Sequence, residues 1–372
     1  MKIVSMSADG GSEYNSGHWQ TAIPCGALIR GGHDVRIPHI NQWLYNTEEI
    51  RRIVADADLI LIQRVLVEES ANMARQWKEH GKAIAVTFDD AYQLLKVEDG
   101  NQASKFWVEG KVEISHPMGE AYEKHLEIHP LEQFRKAMRY INAGIVPSRI
   151  LAEDWMPYCK MFYIPNYIDT PRYLKAKRDI RPDPNWITIG WGGSLSHLPS
   201  FKKSGVMEAL RRVILKRTNV RFLLAGDRRV YDLLPLPESK KVYQQYVHYL
   251  DWPKVLARYD IGIAPLFSRY DASRSSIKSE EYTIMGIPFV ATGCPTYQDW
   301  IDAEIGVFVD DDGDEKHAAK RADEWELKLL DVIDNLEFHR KKMADAFEFG
   351  MSYDVDRNVG NIIKVYEQVI AS

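Results

Sequence analysis

The chain alternates short apolar runs with helix-like stretches, and it does so in two successive series. Parallel strands need a crossover between them, usually a helix, so this alternation points to parallel sheets covered by helices. The first series reads as strands at Lys2–Met6, 34–37, Leu59–Gln63, 84–88, 144–148 and 161–164. Helices are expected at 18–30, ended by Gly31-Gly32, and near 70–80. The second series reads as strands at 186–191, 220–225, 261–265 and 289–291, with a helix over Val206–Lys216. The join lies near Ile164-Pro-Asn-Tyr-Ile-Asp169, and no sequence repeat links the two halves. A length of 372 residues suits two domains. The expected architecture is therefore α/β: two facing Rossmann-like domains, 1–168 and 169–352, with a cleft between them. The polar stretch 89–130 has no clear periodicity and reads as an insertion over that cleft, since loops so long are usually functional or disordered.

Composition excludes several classes. With 48 Lys+Arg against 53 Asp+Glu, the net charge of −5 argues against a protein that coats nucleic acid, though a local basic groove stays open. Cys25, Cys159 and Cys294 are odd in number and far apart, which gives neither a disulfide frame nor a zinc spacing and fits a reducing cytosol. The opening MKIVSM runs straight into a strand without the look of a signal peptide. No apolar run approaches the ~18 residues of a spanning helix. A cytoplasmic protein is expected.

The most telling segment is Arg274-Ser-Ser-Ile-Lys-Ser-Glu-Glu-Tyr-Thr-Ile-Met-Gly-Ile-Pro-Phe-Val-Ala-Thr292. Residues 276–285 read as a helix ended by Gly286, which takes a left-handed cap without a Cβ penalty, and Pro288 bars its continuation. Amide donors at a helix start favour anions, and Lys278 adds a point charge beside Ser276. Glu281, one turn further in, is an acceptor-only group suited to sugar hydroxyls. Cation for a diphosphate and carboxylate for a ribose make a nucleotide-sugar site; a capped surface helix is the plainer alternative.

Other candidates sit at strand ends. The Gly10-Gly11 loop follows the first strand, where open α/β folds place ligands, and glycine lets backbone approach a phosphate. It lacks a G-x-G-x-x-G fingerprint, and a tight turn explains it equally. Trp191-Gly-Gly-Ser-Leu-Ser-His197 is the matching loop of the second half: Gly192, Gly193 and Ser194 offer amides and a hydroxyl, and His197 either donates to a phosphate or is an ordinary surface histidine. Asp89-Asp90 closes a strand; the pair either orients an acceptor hydroxyl or caps the next helix. Asp9, Tyr14, His18 and Gln63-Arg64 share that edge. Asp90 joins Lys278 as a candidate catalytic residue. No third ligand stands near Asp89-Asp90 in sequence, so no metal is expected. The pairs Arg211-Arg212, Lys216-Arg217 and Arg228-Arg229 read as solvated faces or as a groove for an anionic acceptor.

Ser275, Lys278, Glu281-Tyr282 and Gly286-Ile-Pro288 resemble the donor-site signature of GT-B glycosyltransferases, especially the family 4 type. Gly10-Gly-Ser-Glu13, Leu28-Ile-Arg-Gly-Gly-His-Asp-Val35, Ile164-Pro-Asn166 with Asp169, Pro265 and Gly306-Val-Phe-Val309 follow in the family's order over most of the chain. The resemblance implies that Lys278 touches the donor phosphates and that Glu281 holds the ribose. It implies that the Gly10-Gly11 loop faces the diphosphate, and that Tyr249 and Leu250 border the nucleobase, where a hydrophobic staple before a helix is the alternative. Lys202 or Lys203 would stand where family members carry a later cation. It also implies a last helix, 353–372, packed back on the first domain, no metal or cofactor, and transfer with retention. One departure is plain: the second of two glutamates spaced by eight is Glu281, and the first is replaced by Ser273, with Asp271 near.

The expected function is transfer of a sugar from a nucleoside diphosphate donor, a UDP-sugar foremost, to a hydroxyl acceptor such as a glycan, a lipid-linked sugar or a small molecule. Three rivals fit the same pattern. The aromatic-rich stretch 106–125 leaves room for glycosylation of modified DNA bases. A nucleotide-sugar epimerase needs no acceptor. A non-catalytic binder of sugar nucleotides fits the missing glutamate.

Overall fold

The computed structural model describes residues 1–8, 15–97, 104–114, 122–311 and 313–372. Contacts divide the chain into two compact units: Met1–Tyr167 with Ser273–Ser275 and Val355–Ser372, and Ile168–Ala272 with Ser276–Asp354.

The first unit is built on a six-stranded parallel sheet of β1 (Lys2–Met6), β2 (Asp34–Arg36), β3 (Leu59–Gln63), β4 (Ala83–Thr87), β7 (Ala143–Val146) and β8 (Met161–Tyr163). Their order is β2-β1-β3-β4-β7-β8. β3 and β4 are buried along their whole length, as strands covered on both faces must be, and their sequences LILIQ and AIAVT are correspondingly unbroken. The expected helix at 18–30 forms in two parts, a π-turn over His18–Ala22 and a regular helix over Ile23–Arg30. The last helix, Val355–Ile370, belongs to this unit. It puts Ile362, Tyr366 and Val369 into a core shared with Leu28, Leu59 and Ala85. Asn142 latches it: Oδ1 accepts from Ile84 N at 2.9 Å while Nδ2 donates to Val369 O at 3.2 Å.

The second unit carries another six-stranded parallel sheet: β9 (Ile187–Gly193), β10 (Val220–Gly226), β11 (Lys241–Gln245), β12 (Ile261–Ala264), β13 (Phe289–Gly293) and β14 (Val307–Asp310). The order β11-β10-β9-β12-β13-β14 reverses between β9 and β12. β11 was not foreseen, because KVYQQ is half-buried at the sheet edge and shows no apolar run. The helix Ile277–Met285 ends as its sequence predicts: Gly286 has φ +67°, and its N–H caps onto Tyr282 and Thr283 carbonyls. No helix among the described residues is long and apolar enough to cross a membrane.

The stretch 89–130, read above as an insertion without clear periodicity, holds local structure among its described residues. It contains a 3₁₀ turn at Tyr92–Leu94, a π-turn at Lys105–Glu109 and an antiparallel hairpin of β5 (Lys111–Ile114) with β6 (Tyr122–His125). Trp107 stacks on Tyr92 at 3.8 Å and 11°, with Phe134 edge-on at 5.5 Å. Phe88 and Trp155 extend the cluster. Trp107 is thus a core residue of the first unit, which removes it as a stacking platform for a base. Trp107→Ala should cost about 3–5 kcal/mol of stability, as other large buried aromatics do. Urea denaturation giving a loss under about 0.5 kcal/mol, the range of ordinary surface substitutions, would place the ring outside the core.

Candidate functional site

Open α/β sheets bind ligands beyond the carboxyl ends of their strands, where the strand order reverses. In the second unit that point lies between β9 and β12. β9 delivers Trp191, Gly192 and Gly193 to it, and the helix Ile277–Met285 follows β12 after a loop. Asp271 organises that loop: its carboxylate accepts from Ser200 Oγ at 2.5 Å and from Phe267 N at 2.8 Å. It is 3% exposed. The carboxylate nearest the missing first glutamate is therefore committed to holding the loop.

Glu281 projects from the first turns of the helix into the interior and is 2% exposed. Its Oε1 accepts from Tyr173 Oη at 2.7 Å and from Trp252 Nε1 at 2.6 Å. Burial pushes its carboxyl above the usual range, against the pull of Tyr173, the Lys278 charge and Trp252. The Tyr173 phenol is itself pushed well up by burial and by the charge of Glu281, so it stays protonated and remains a donor. Trp252 reaches Glu281 because residue 192 is glycine: a Cβ there would stand 2.0 Å from the indole Cη2. Sequence reasoning missed both partners of Glu281. Tyr173 stands 108 residues away in the chain and Trp252 29 residues away, outside the motifs read above.

Beside it, Glu280 is also buried, at 1% exposure. Ser276 donates its hydroxyl to Glu280 Oε1 at 2.7 Å, while Oε2 is buried without a hydrogen-bond partner. The Ser276 side chain, expected at a phosphate, is thus spent on Glu280, and its carbonyl accepts from Ser279 and Glu280 within the helix. Burial pushes the Glu280 carboxyl up to about 8, against Ser276 and helped by Glu281 and Asp299.

The structure brings several predicted phosphate residues together. The Lys278 ammonium lies over the Trp191 ring, 5.8 Å from its centroid. His197 meets the same ring edge-on at 5.9 Å, and a Cβ on Gly193 would fall between the two rings, 2.6 Å from Trp191 and 3.2 Å from His197. Ser194 Oγ lies 2.7 Å from Ser196 Oγ. Lys203 is paired with Glu315. Tyr249 lies under the Arg172 guanidinium at 5.0 Å and packs on His248; Leu250 is 45% exposed.

In the first unit, Asp9, Gly10, Gly11 and Tyr14 lie outside the described residues. The rest of that edge is a tight polar cluster. Arg64 adopts φ +58°, a left-handed conformation uncommon for arginine. Its Nη2 donates to Asp89 Oδ1 at 2.7 Å, to Ser16 Oγ at 2.6 Å and to Asp90 Oδ2 at 3.3 Å. Ser16 donates to the other Asp89 oxygen. Burial raises the Asp89 carboxyl, but Arg64 and Ser16 outweigh it and hold the group below the usual range. The turn that follows, Tyr92–Leu94, has Ala91 at its N-cap, and Tyr92 N donates to the Asp90 carbonyl at 3.0 Å. His18 is 5% exposed, packed beside Trp19 at 4.8 Å. Gln63 Oε1 accepts from Ala8 N at 2.8 Å, joining the ends of β1 and β3.

The basic pairs are engaged in ion pairs. Arg211 and Arg212 bind Glu208, Arg212 also binds Asp323, and Arg217 binds Asp334. Lys216 binds Glu326, Arg228 binds Asp232, and Arg229 binds Asp227.

No family model matches the chain, and no curated protein aligns with it. Solved structures do. Sucrose-phosphate synthase from Thermosynechococcus elongatus is similar over 100% of both chains, with TM-score 0.66 and 10% identity. HepE from Anabaena, in complex with UDP and glucose, gives TM-score 0.62 at 13% identity over 98% of this chain and 100% of that one. A Listeria monocytogenes protein named for UDP-N-acetylglucosamine 2-epimerase gives TM-score 0.53 at 13% identity over 98% and 95%. The fold is GT-B. At such identities the likeness extends to architecture, and an isomerase name among the similar structures means that architecture does not choose the reaction.

Glu280 makes stability depend on pH. Its folded pKa lies at about 8, above the ordinary 4.5. The stability this proton confers is complete below the unfolded value and is lost as pH rises through the folded one. Wild type should therefore weaken between pH 5 and 9 more than Glu280→Gln does, as read by urea denaturation at both pH values. Parallel losses in the two proteins would show that Glu280 does not hold the proton.

Proposed function

We propose that the protein is a glycosyltransferase that moves a sugar from a nucleoside diphosphate donor, with UDP as the nucleotide, to a hydroxyl acceptor with retention. The observation that carries this reading is the convergence, at the strand-order reversal of the second unit, of a cation, Lys278, with an inward carboxylate, Glu281, held by two donors. Lys278 supplies charge for phosphates and Glu281 an acceptor for ribose. The similar fold of HepE, solved with UDP and glucose, agrees with a uridine donor.

The hard step is departure of the diphosphate, which gains negative charge as the glycosidic bond breaks. Lys278, the amides of Gly193 and Ser194, and His197 would stabilise that charge as it forms. The acceptor proton passes to a phosphate oxygen of the leaving group, so no enzymic nucleophile and no metal is invoked. Asp90 would orient the acceptor hydroxyl. Asp89, held ionised by Arg64 and Ser16, would brace that edge.

Charge-assisted hydrogen bonds contribute roughly 1.5–3 kcal/mol, so Lys278→Ala should lower kcat/KM by about 10- to 150-fold. Near-normal turnover of this variant would remove Lys278 from the donor site. In a thermal-shift panel of UDP, GDP, ADP and CMP, UDP at 100 times Kd should add about 2.7 kcal/mol of stability, seen as a raised melting point that is lost in Glu281→Ala. No shift with any nucleotide would overturn the reading. Consumption of the donor sugar nucleotide without any acceptor would favour the epimerase.

A further inference from the structure

Glu281 is unusual in how its two oxygens are used. Oε1 receives both of the carboxylate's hydrogen bonds, from Tyr173 on the helix Thr170–Asp179 and from Trp252 on the helix Trp252–Leu256. A carboxylate oxygen has about two lone-pair directions, so two short bonds fill it. Donors from two separate helices also stop the group from rotating. Any further donor must then approach Oε2.

Burial alone does not account for this arrangement. Where a carboxylate is merely tolerated in an interior, replacement by apolar side chains of similar volume is often neutral or stabilising. Here instead the chain shapes a strand around it. Gly192 lies in the middle of the sheet with no side chain, and the Trp252 indole occupies the space a Cβ would need. Glycine in a strand interior weakens the strand, and a close approach of another group is the usual reason for it. The sequence reads Trp191-Gly192-Gly193 as a phosphate loop; the geometry assigns Gly192 to Trp252 instead.

Resting on the donor-site reading above, we propose that Tyr173 and Trp252 are positioning residues. They saturate Oε1 of Glu281 and present Oε2 to the ribose hydroxyls of a nucleoside diphosphate, and Gly192 is glycine so that Trp252 can reach. Ribose recognition in this protein is then carried by three elements acting through one oxygen.

The test is calorimetric binding of UDP and of 2′,3′-dideoxy-UDP to wild type, Tyr173→Phe, Trp252→Phe and Gly192→Ala, each first shown to melt cooperatively. Tyr173→Phe removes a single oxygen and keeps the ring, so it remains informative where the other two fail to fold. Wild type should prefer UDP by at least about 10-fold, the scale of a hydrogen bond to a charged group. In the variants Kd for UDP should rise by about 10-fold while Kd for the dideoxy nucleotide changes less than about twofold, so the preference collapses. A merely structural role weakens both ligands alike and leaves the preference intact; that result overturns the proposal. Equal binding of the two ligands by wild type removes Glu281 from the ribose, and the proposal with it. Absence of any nucleotide binding by wild type instead defeats the proposed function itself.

Discussion

Two adjacent carboxyl groups, Glu280 and Glu281, are taken out of water on one helix, and the rest of the second unit is arranged around that cost. An unpaired charge in an apolar interior is so unfavourable that the group takes up a proton instead. The two residues answer this differently. Burial raises the Glu281 carboxyl to about 7, and Tyr173, Lys278 and Trp252 pull it back toward the ionised form. Glu280 is held protonated by burial and by the neighbouring Glu281 and Asp299, against a single hydroxyl donor, Ser276. The helix therefore carries one group suited to accepting from a ligand and one that serves the interior, though the two are neighbours in sequence and identical in type.

The glycines of β9 show how backbone economy supports that arrangement. In a central strand, residues 190, 191 and 192 alternate between faces. Trp191 fills one face against Phe201, at 4.4 Å between rings. On the other face, Gly192 yields its volume to Trp252. The same three residues thus place one indole beneath Lys278 and admit a second to Glu281. A larger residue at 192 would separate the strand from the helix that carries Trp252, which links strand packing directly to carboxylate geometry.

Much of this was legible in the sequence where it depends on local rules. The strand–helix alternation and the Gly286 helix end follow from periodicity and from backbone freedom, so they read directly. The sheet-edge strand KVYQQ did not, because a half-buried edge needs no apolar run. The aromatic stretch holding Trp107 left room for a DNA-base acceptor in the sequence; its partners, Tyr92 and Phe134, are separated from it in the chain, and its burial comes from them. At the candidate site, residue types announced Lys278 and Glu281, but the donors that orient Glu281 come from distant helices. Ser276 shows the opposite limit: its type suits a phosphate, yet the buried Glu280 four residues on takes the hydroxyl.

The first unit poses the complementary electrostatic problem. Asp89 and Asp90 are neighbours, and the Arg64 guanidinium reaches both, more closely Asp89 at 2.7 Å than Asp90 at 3.3 Å. Arg64 reaches them from a left-handed backbone, a conformation sustained only where surrounding bonds over-determine it. Ser16, donating to Asp89 while accepting from Arg64, closes the triangle. A carboxylate so held below its usual range is a poor proton acceptor near neutrality. In the proposed reaction this is no handicap, because the leaving diphosphate takes the acceptor proton. The edge of the first unit then has only to hold an acceptor in place, and a rigid Arg–Asp–Ser triangle is suited to holding.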